Sequence, residues 1–148
     1  MLQALSKDCK LVKVCGAQVA GKNDTITVAE IDMDGFSDVC VVLSLGAVVD
    51  TADITFKLQE YPTTGGDGGT YTDIAGAANS ATNMTNAAHT NKALVIDCKK
   101  VSKRFLNVNI ARSNDANITI ENCWAILYNG RVLPVTQGTA VKSAVLAN

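Results

Sequence analysis

Residues 52–76 read Ala52-Asp53-Ile54-Thr55-Phe56-Lys57-Leu58-Gln59-Glu60-Tyr61, then Pro62-Thr63-Thr64-Gly65-Gly66-Asp67-Gly68-Gly69, then Thr70-Tyr71-Thr72-Asp73-Ile74-Ala75-Gly76. Ile54, Phe56 and Leu58 alternate with Thr55, Lys57 and Gln59, the period-two pattern of a strand with one buried face. The glycine-rich middle cannot hold a helix and reaches positive φ at little cost. The chain then resumes as a second strand through Tyr71 and Ile74. The stretch is a hairpin with a glycine tip, and its texture recurs along most of the chain.

Working outward, residues 25–32 set Ile26, Val28 and Ile31 against Thr25, Thr27 and Glu30, and Asp34-Gly35 marks a turn. Residues 39–45 are apolar at nearly every position, which predicts a strand in mid-sheet covered on both faces. Beyond the hairpin, residues 77–91 are polar, with room for a short strand near Met84. Residues 93–98 form a strand, and residues 105–112 alternate Leu106, Val108 and Ile110 with Asn107, Asn109 and Ala111. Residues 117–128 form the longest strand, with Ile118, Ile120, Trp124, Ile126 and Tyr128 assigned to one face and Asn122 the exception. Gly130 ends it, and Pro134 argues against another interior strand.

Seven or eight short strands joined by Gly, Asn, Asp and Thr turns predict an all-β, single-domain jelly roll or β-sandwich of antiparallel strands. The domain occupies residues 25–130, between an N-terminal arm (1–24) and a C-terminal arm (131–148). Leu2, Leu5, Cys9 and Val12 could line a short helix in the first arm, and residues 11–14 could equally be a strand.

The chain has 148 residues, enough for one domain that buries roughly 68–70% of its unfolded surface without disulfide or metal. A net charge of −1 gives no field to attract nucleic acid or an anionic membrane. No apolar run is long enough to span a bilayer, and Lys7, Asp8, Lys10 and Lys13 break up any signal-peptide core. A cytoplasmic site of synthesis is the expectation. Five cysteines at wide spacing (Cys9, Cys15, Cys40, Cys98 and Cys123) then read as reduced, mostly buried thiols, with no Cys-x-x-Cys pair for zinc or redox work.

The chemical motifs favour plain readings. Asp32-Met33-Asp34-Gly35 opens like a calcium loop, but its glycine is misplaced and Leu43 stands where a closing glutamate belongs. Gly65–Gly69 lacks the Lys-Ser or Lys-Thr and the following helix of a phosphate loop. His89 is the one histidine, with no nucleophile frame near it. Glu60 and Glu121 could pair as glycosidase carboxylates only by accident of folding. Lys99, Lys100, Lys103 and Arg104 form a basic cluster, read as a solvated turn or as a rim patch for an acidic protein surface. No catalytic residue, cofactor or metal site is predicted, and no enzyme.

The order of Asp32-Met33-Asp34-Gly35-Phe36, the apolar strand Val39 to Gly46, Ile54 to Glu60, Tyr71 to Ala77, Lys103-Arg104-Phe105, Ala125 to Tyr128, Arg131 and Pro134-Val135 resembles the small structural proteins of tailed-bacteriophage virions. Within these the likeness is to capsid decoration (cement) proteins, and it covers about residues 18–137. It implies a noncatalytic virion component on the outer surface of the capsid shell, made in the bacterial host cytoplasm. The implied partners are the major capsid protein and further copies of itself, most simply a trimer. No nucleic acid or membrane is expected. The expected contact residues are Leu2, Leu5 and Leu11; the tip Gly65, Gly66, Asp67, Gly68 and Gly69; Lys99, Lys100, Lys103 and Arg104; and Val141 and Leu146. Rival readings are a tail or head–tail junction component, and a carbohydrate-binding host-attachment module presenting Trp124, Tyr61 and Tyr71.

Overall fold

The alternation at residues 54–59 becomes β6 (Ala52–Tyr61), with Ala52, Ile54, Phe56 and Leu58 buried and the intervening residues half-exposed. It sits in a computed structural model that describes residues 5–61, 70–133 and 135–142. β10 (Phe105–Ser113) has the same texture and runs antiparallel to β6 in unbroken register from Phe105↔Tyr61 to Ser113↔Asp53. β7 (Thr72–Ala78) and β8 (Ala81–Met84) flank β6, while β3 (Asp24–Thr25) and β4 (Ile31–Asp32) flank β10, completing a six-stranded sheet.

The second sheet is built on two strands of 13 residues each, β5 (Phe36–Val48) and β11 (Ile118–Gly130). β9 (Ala93–Cys98) pairs with β5, and both β1 (Lys10–Cys15) and β2 (Gln18–Gly21) pair with β11. Every pairing is antiparallel. α1 (Leu5–Asp8) and α2 (Asn86–His89) contribute a single turn each. The inner faces of the two sheets share one apolar core, in which Val39, Val41, Leu43 and Leu127 belong to one sheet and Phe56, Leu58, Leu106 and Ile110 to the other. The protein is thus an all-β molecule of two packed antiparallel sheets, as in a β-sandwich.

Several elements differ from the sequence reading. Eleven strands are present among the described residues, because β3 and β4 hold two residues each and β1, β2 and β8 are short. Residues 1–24, expected as an arm, contain β1 and β2, which are integral to the five-stranded sheet. Residues 26–30, expected to continue a strand, instead cross between the sheets: Ile26 N–H donates to Ile110 O (2.9 Å) and Ala29 N–H to Val14 O (2.8 Å). The Asp34-Gly35 turn forms as expected. Asp34 N–H donates to Asp32 Oδ1 (3.0 Å), and Gly35 takes φ 84°, a left-handed value that suits glycine.

Arg112 fastens the two sheets together. Its side chain is 4% exposed and forms a bidentate pair with Asp24 of β3. It also donates to Val19 O in β2 (2.8 Å) and Ile118 O in β11 (2.7 Å). One guanidinium therefore joins β3 and β10 of one sheet to β2 and β11 of the other, using its fork geometry as lysine could not. Gly21 makes room for it, since a Cβ there would collide with Arg112 Nη2.

Residues 135–142 of the C-terminal arm, expected as an extended arm or an edge strand, fold back over α1 and β1. Gln137 accepts the Leu11 amide (3.0 Å) and donates to Cys9 O (2.6 Å) and Ser6 O (3.1 Å), while Val135 N–H donates to Lys7 O (2.6 Å). Gln137→Ala removes three hydrogen bonds from a half-buried side chain. It is expected to cost about 1–2 kcal/mol locally, read as roughly ten-fold faster hydrogen exchange at the Leu11 amide with exchange in β6 unchanged.

Candidate functional site

The two outer faces of the molecule differ in chemistry. Outside the six-stranded sheet, β6 and β10 present Asp53, Thr55, Lys57, Gln59, Asn107 and Asn109. Three of them form a network with Asp73 of β7: Asn107 Nδ2 donates to Gln59 Oε1 (3.0 Å), and Lys57 Nζ and Gln59 Nε2 both donate to Asp73 (2.7 Å each). This face is polar.

Outside the five-stranded sheet the middle of the face is apolar, with Lys13 and Asp97 at its edges and Asn122 and Ser44 in the adjoining row. Register places Lys13, Trp124, Val42 and Val95 in one cross-strand row and Leu11, Ile126, Cys40 and Asp97 in the next. Val95 is 45% exposed, and Leu11, Cys40, Val42, Trp124 and Ile126 are half-buried and belong to no part of the inner core. The row of apolar side chains runs into a cavity of about 410 Å³ bounded by Leu5, Cys9, Ile126, Tyr128 and Leu133. Leu5 and Leu133 on its rim are 50% and 52% exposed.

Two expectations are corrected here. Trp124, Ile126 and Tyr128 do not share the inward face of Ile118 and Ile120. Register shifts on either side of Ile120 change the parity of β11, so Cys123, Ala125 and Leu127 point inward beyond it. Residues 39–45 are also not covered on both sides by described residues: Val39, Val41, Leu43 and Leu45 are buried, whereas Cys40 and Val42 open onto the outer face. The apolar excess of both strands was the sequence signal for this face, read as interior.

Of the expected contact residues, Leu2, Gly65, Gly66, Asp67, Gly68, Gly69 and Leu146 lie outside the described residues. Leu5 and Leu11 lie at the apolar face, Leu11 directly across from Ile126. Val141 is half-buried in the tail, where its amide donates to Gly138 O (3.1 Å). Lys99, Lys100 and Lys103 are exposed, but Arg104 is bound bidentately by Asp32 (2.8 and 2.9 Å) with Asp34 at 3.7 Å. Arg131, which the sequence does not place with the basic cluster, joins Lys103 and Arg104 around a cleft of about 240 Å³. The basic cluster is therefore partly neutralised by its own neighbours, which suits a rim and not a strong anion site.

Other candidate groups are held apart or engaged locally. Glu60 lies in the six-stranded sheet, accepting from Ser102 Oγ (2.7 Å), and Glu121 lies in the other sheet beside Gly46. His89 Nδ1 accepts the Thr85 amide (3.1 Å) at the start of α2. Among the described residues, no three His, Cys, Asp or Glu side chains converge as metal ligands. Tyr61 and Tyr71 contact at 5.5 Å with planes 57° apart, and Tyr71 donates to Glu30 (2.8 Å). Burial and that hydrogen bond push the Tyr71 hydroxyl up to about 12. At the end of the apolar face Tyr128 donates to Asp97, and burial followed by this bond pushes its hydroxyl well above the ordinary tyrosine range. Asp38, 3% exposed, holds the adjoining loop. Burial drives its carboxyl up, but hydrogen bonds from the Lys100 amide, Ser37 and Asn129 outweigh that and leave it net lowered.

Compared with protein-family models and with curated proteins, the chain matches none.

Proposed function

We propose that this protein is a noncatalytic virion component that binds the outer surface of a bacteriophage capsid shell and stabilises it, acting as a jelly-roll decoration module in several copies, most simply a trimer. One observation carries this reading: the five-stranded sheet turns an apolar, partly aromatic face outward, while the opposite sheet is backed by a polar network. Contiguous outward apolar surface beside a polar rim is the ordinary chemistry of a protein–protein contact. The order of sequence motifs supplies the kind of partner, a shell subunit repeated many times. Modest contacts made many times over then reach high avidity.

The carbohydrate-module reading is the weaker one, because Trp124 lies on one sheet while the Tyr61–Tyr71 pair lies at the other and is tilted, so the three rings form no common platform. Mixing purified protein with shells that lack a decoration protein tests the proposal. Saturable binding and increased resistance of the shells to heat are expected, and failure to bind any phage head would end it.

A further inference from the structure

We propose that Cys15 and Cys123 form a peroxide-oxidisable dithiol that closes to a disulfide between β1 and β11. More than a hundred residues separate them in sequence, so no motif spacing announces the pair; the ladder brings them together. Lys13 lies opposite Trp124 and Cys15 lies opposite Cys123, with Val14 as the extra residue of a bulge. Without that bulge Val14 would face Cys123. Directly opposed residues of antiparallel strands have Cα atoms roughly 4.5–5.5 Å apart, inside the roughly 4.4–6.8 Å that a disulfide spans.

The register sets the two buried thiols against each other, and their surroundings separate their roles. Cys15, at the end of β1, is the more accessible of the two and is the nucleophile, and the fully enclosed Cys123 is the resolving thiol. The neighbouring Cys123 thiol, with help from Lys13, outweighs burial and lowers Cys15 below the ordinary thiol value, while the Cys15 thiol and burial raise Cys123, in the same sense as that assignment. Cys15 is 7% exposed at the end of β1 while Cys123 is 0% exposed, so a small oxidant reaches Cys15 first. The other cysteines are placed differently. Cys40 opens onto the outer face, Cys98 sits on β9 with β5 between it and β11, and Cys9 precedes β1 against the 410 Å³ cavity.

In the first step Cys15 Sγ attacks one oxygen of hydrogen peroxide, the O–O bond breaks, and the departing oxygen leaves as water with the thiol proton. Cys123 Sγ then attacks Cys15 Sγ, the S–O bond of the sulfenic acid breaks, and a second water leaves with the Cys123 proton. Two thiols lose two electrons, and one peroxide is reduced to two waters.

The test treats the full, reduced chain with hydrogen peroxide, blocks remaining thiols under denaturing conditions, and maps the peptides without reduction. The expected result is a mass lower by two hydrogen atoms before blocking, three blocked cysteines, and one cross-linked pair joining Cys15 to Cys123 that a dithiol reductant reverses. In Cys123→Ser the sulfenic acid on Cys15 is expected to persist and react with dimedone. A cross-link through Cys9, Cys40 or Cys98 in place of this pair overturns the proposal, as do five blockable thiols after peroxide treatment. The mapping needs only the native chain, so it decides the matter even if the variant fails to fold.

Discussion

Arg112→Leu is expected to lower the free energy of unfolding by about 3 kcal/mol, a shift of roughly 1.5 M in a urea titration for a slope of about 2 kcal/mol/M. Removing one partner of a buried ion pair typically costs about 3–5 kcal/mol. The lower end applies here because the Asp24 side chain is 42% exposed and regains water when its partner is lost. The two carbonyls of Val19 and Ile118 lose a donor at the same time. Arg112→Lys is expected to restore less than half, since one ammonium cannot span a carboxylate and two carbonyls in three strands. Gly21→Ala presses a methyl group on the same guanidinium, so its cost and that of Arg112→Leu should fall short of their sum when combined.

The pair also carries an acid dependence. Arg112 lowers the Asp24 carboxyl chiefly by hydrogen bonding, against burial. A depressed folded value means that stability is fully present above the unfolded carboxylate value of about 3.9 and drains away as pH falls toward and through the folded one. Arg112→Leu should therefore flatten the acid limb of the stability curve. An unchanged limb, measured by urea unfolding at successive pH values, would mean that other carboxylates control it.

Trp124→Glu is expected to abolish measurable shell binding while leaving the fold intact. Truncating or charging an aromatic anchor in a docking surface commonly costs about 2 kcal/mol or more, some thirty-fold per contact, and repetition over several copies multiplies the loss. Stability should change by less than about 1.5 kcal/mol, because Trp124 lies outside the inner core. Val95→Lys, in the same cross-strand row on edge strand β9, should weaken binding in the same sense. Asn109→Glu, on the polar backing of the other sheet, should leave it unchanged. Equal losses from Trp124→Glu and Asn109→Glu in a shell co-sedimentation assay would show that the apolar face is not the contact.

The strands legible in the sequence are those whose period is unbroken. Residues 54–58 and 106–110 alternate without interruption, and both become strands with the expected inward residues. Beyond Ile120 the facing of β11 is not legible, because parity counting cannot survive an irregular pairing and nothing in Thr119-Ile120-Glu121-Asn122 announces one. β1 is legible only as one of two options, a strand over 11–14 or a short helix, and β2 not at all, because the partner of both is β11, about a hundred residues away, and local pattern carries no trace of that pairing. Arg112 looked like an ordinary charge at a strand end. Its burial follows from three acceptors brought to one point, Ile118 O from six residues on and Asp24 and Val19 O from about ninety residues back. The outward apolar face is half legible, since its apolar residues stand out in the sequence but their continuous run there predicts an interior strand.

The docking of Gln137 onto β1 bears on how such a molecule tolerates crowding. An outermost strand with unsatisfied amides is a template on which other chains can grow without limit, and dense packing makes that growth faster. Here the chain's own tail already occupies part of that rim. In the proposed assembly, this covering of the β1 edge would favour meeting through broad surfaces over end-on extension along that edge.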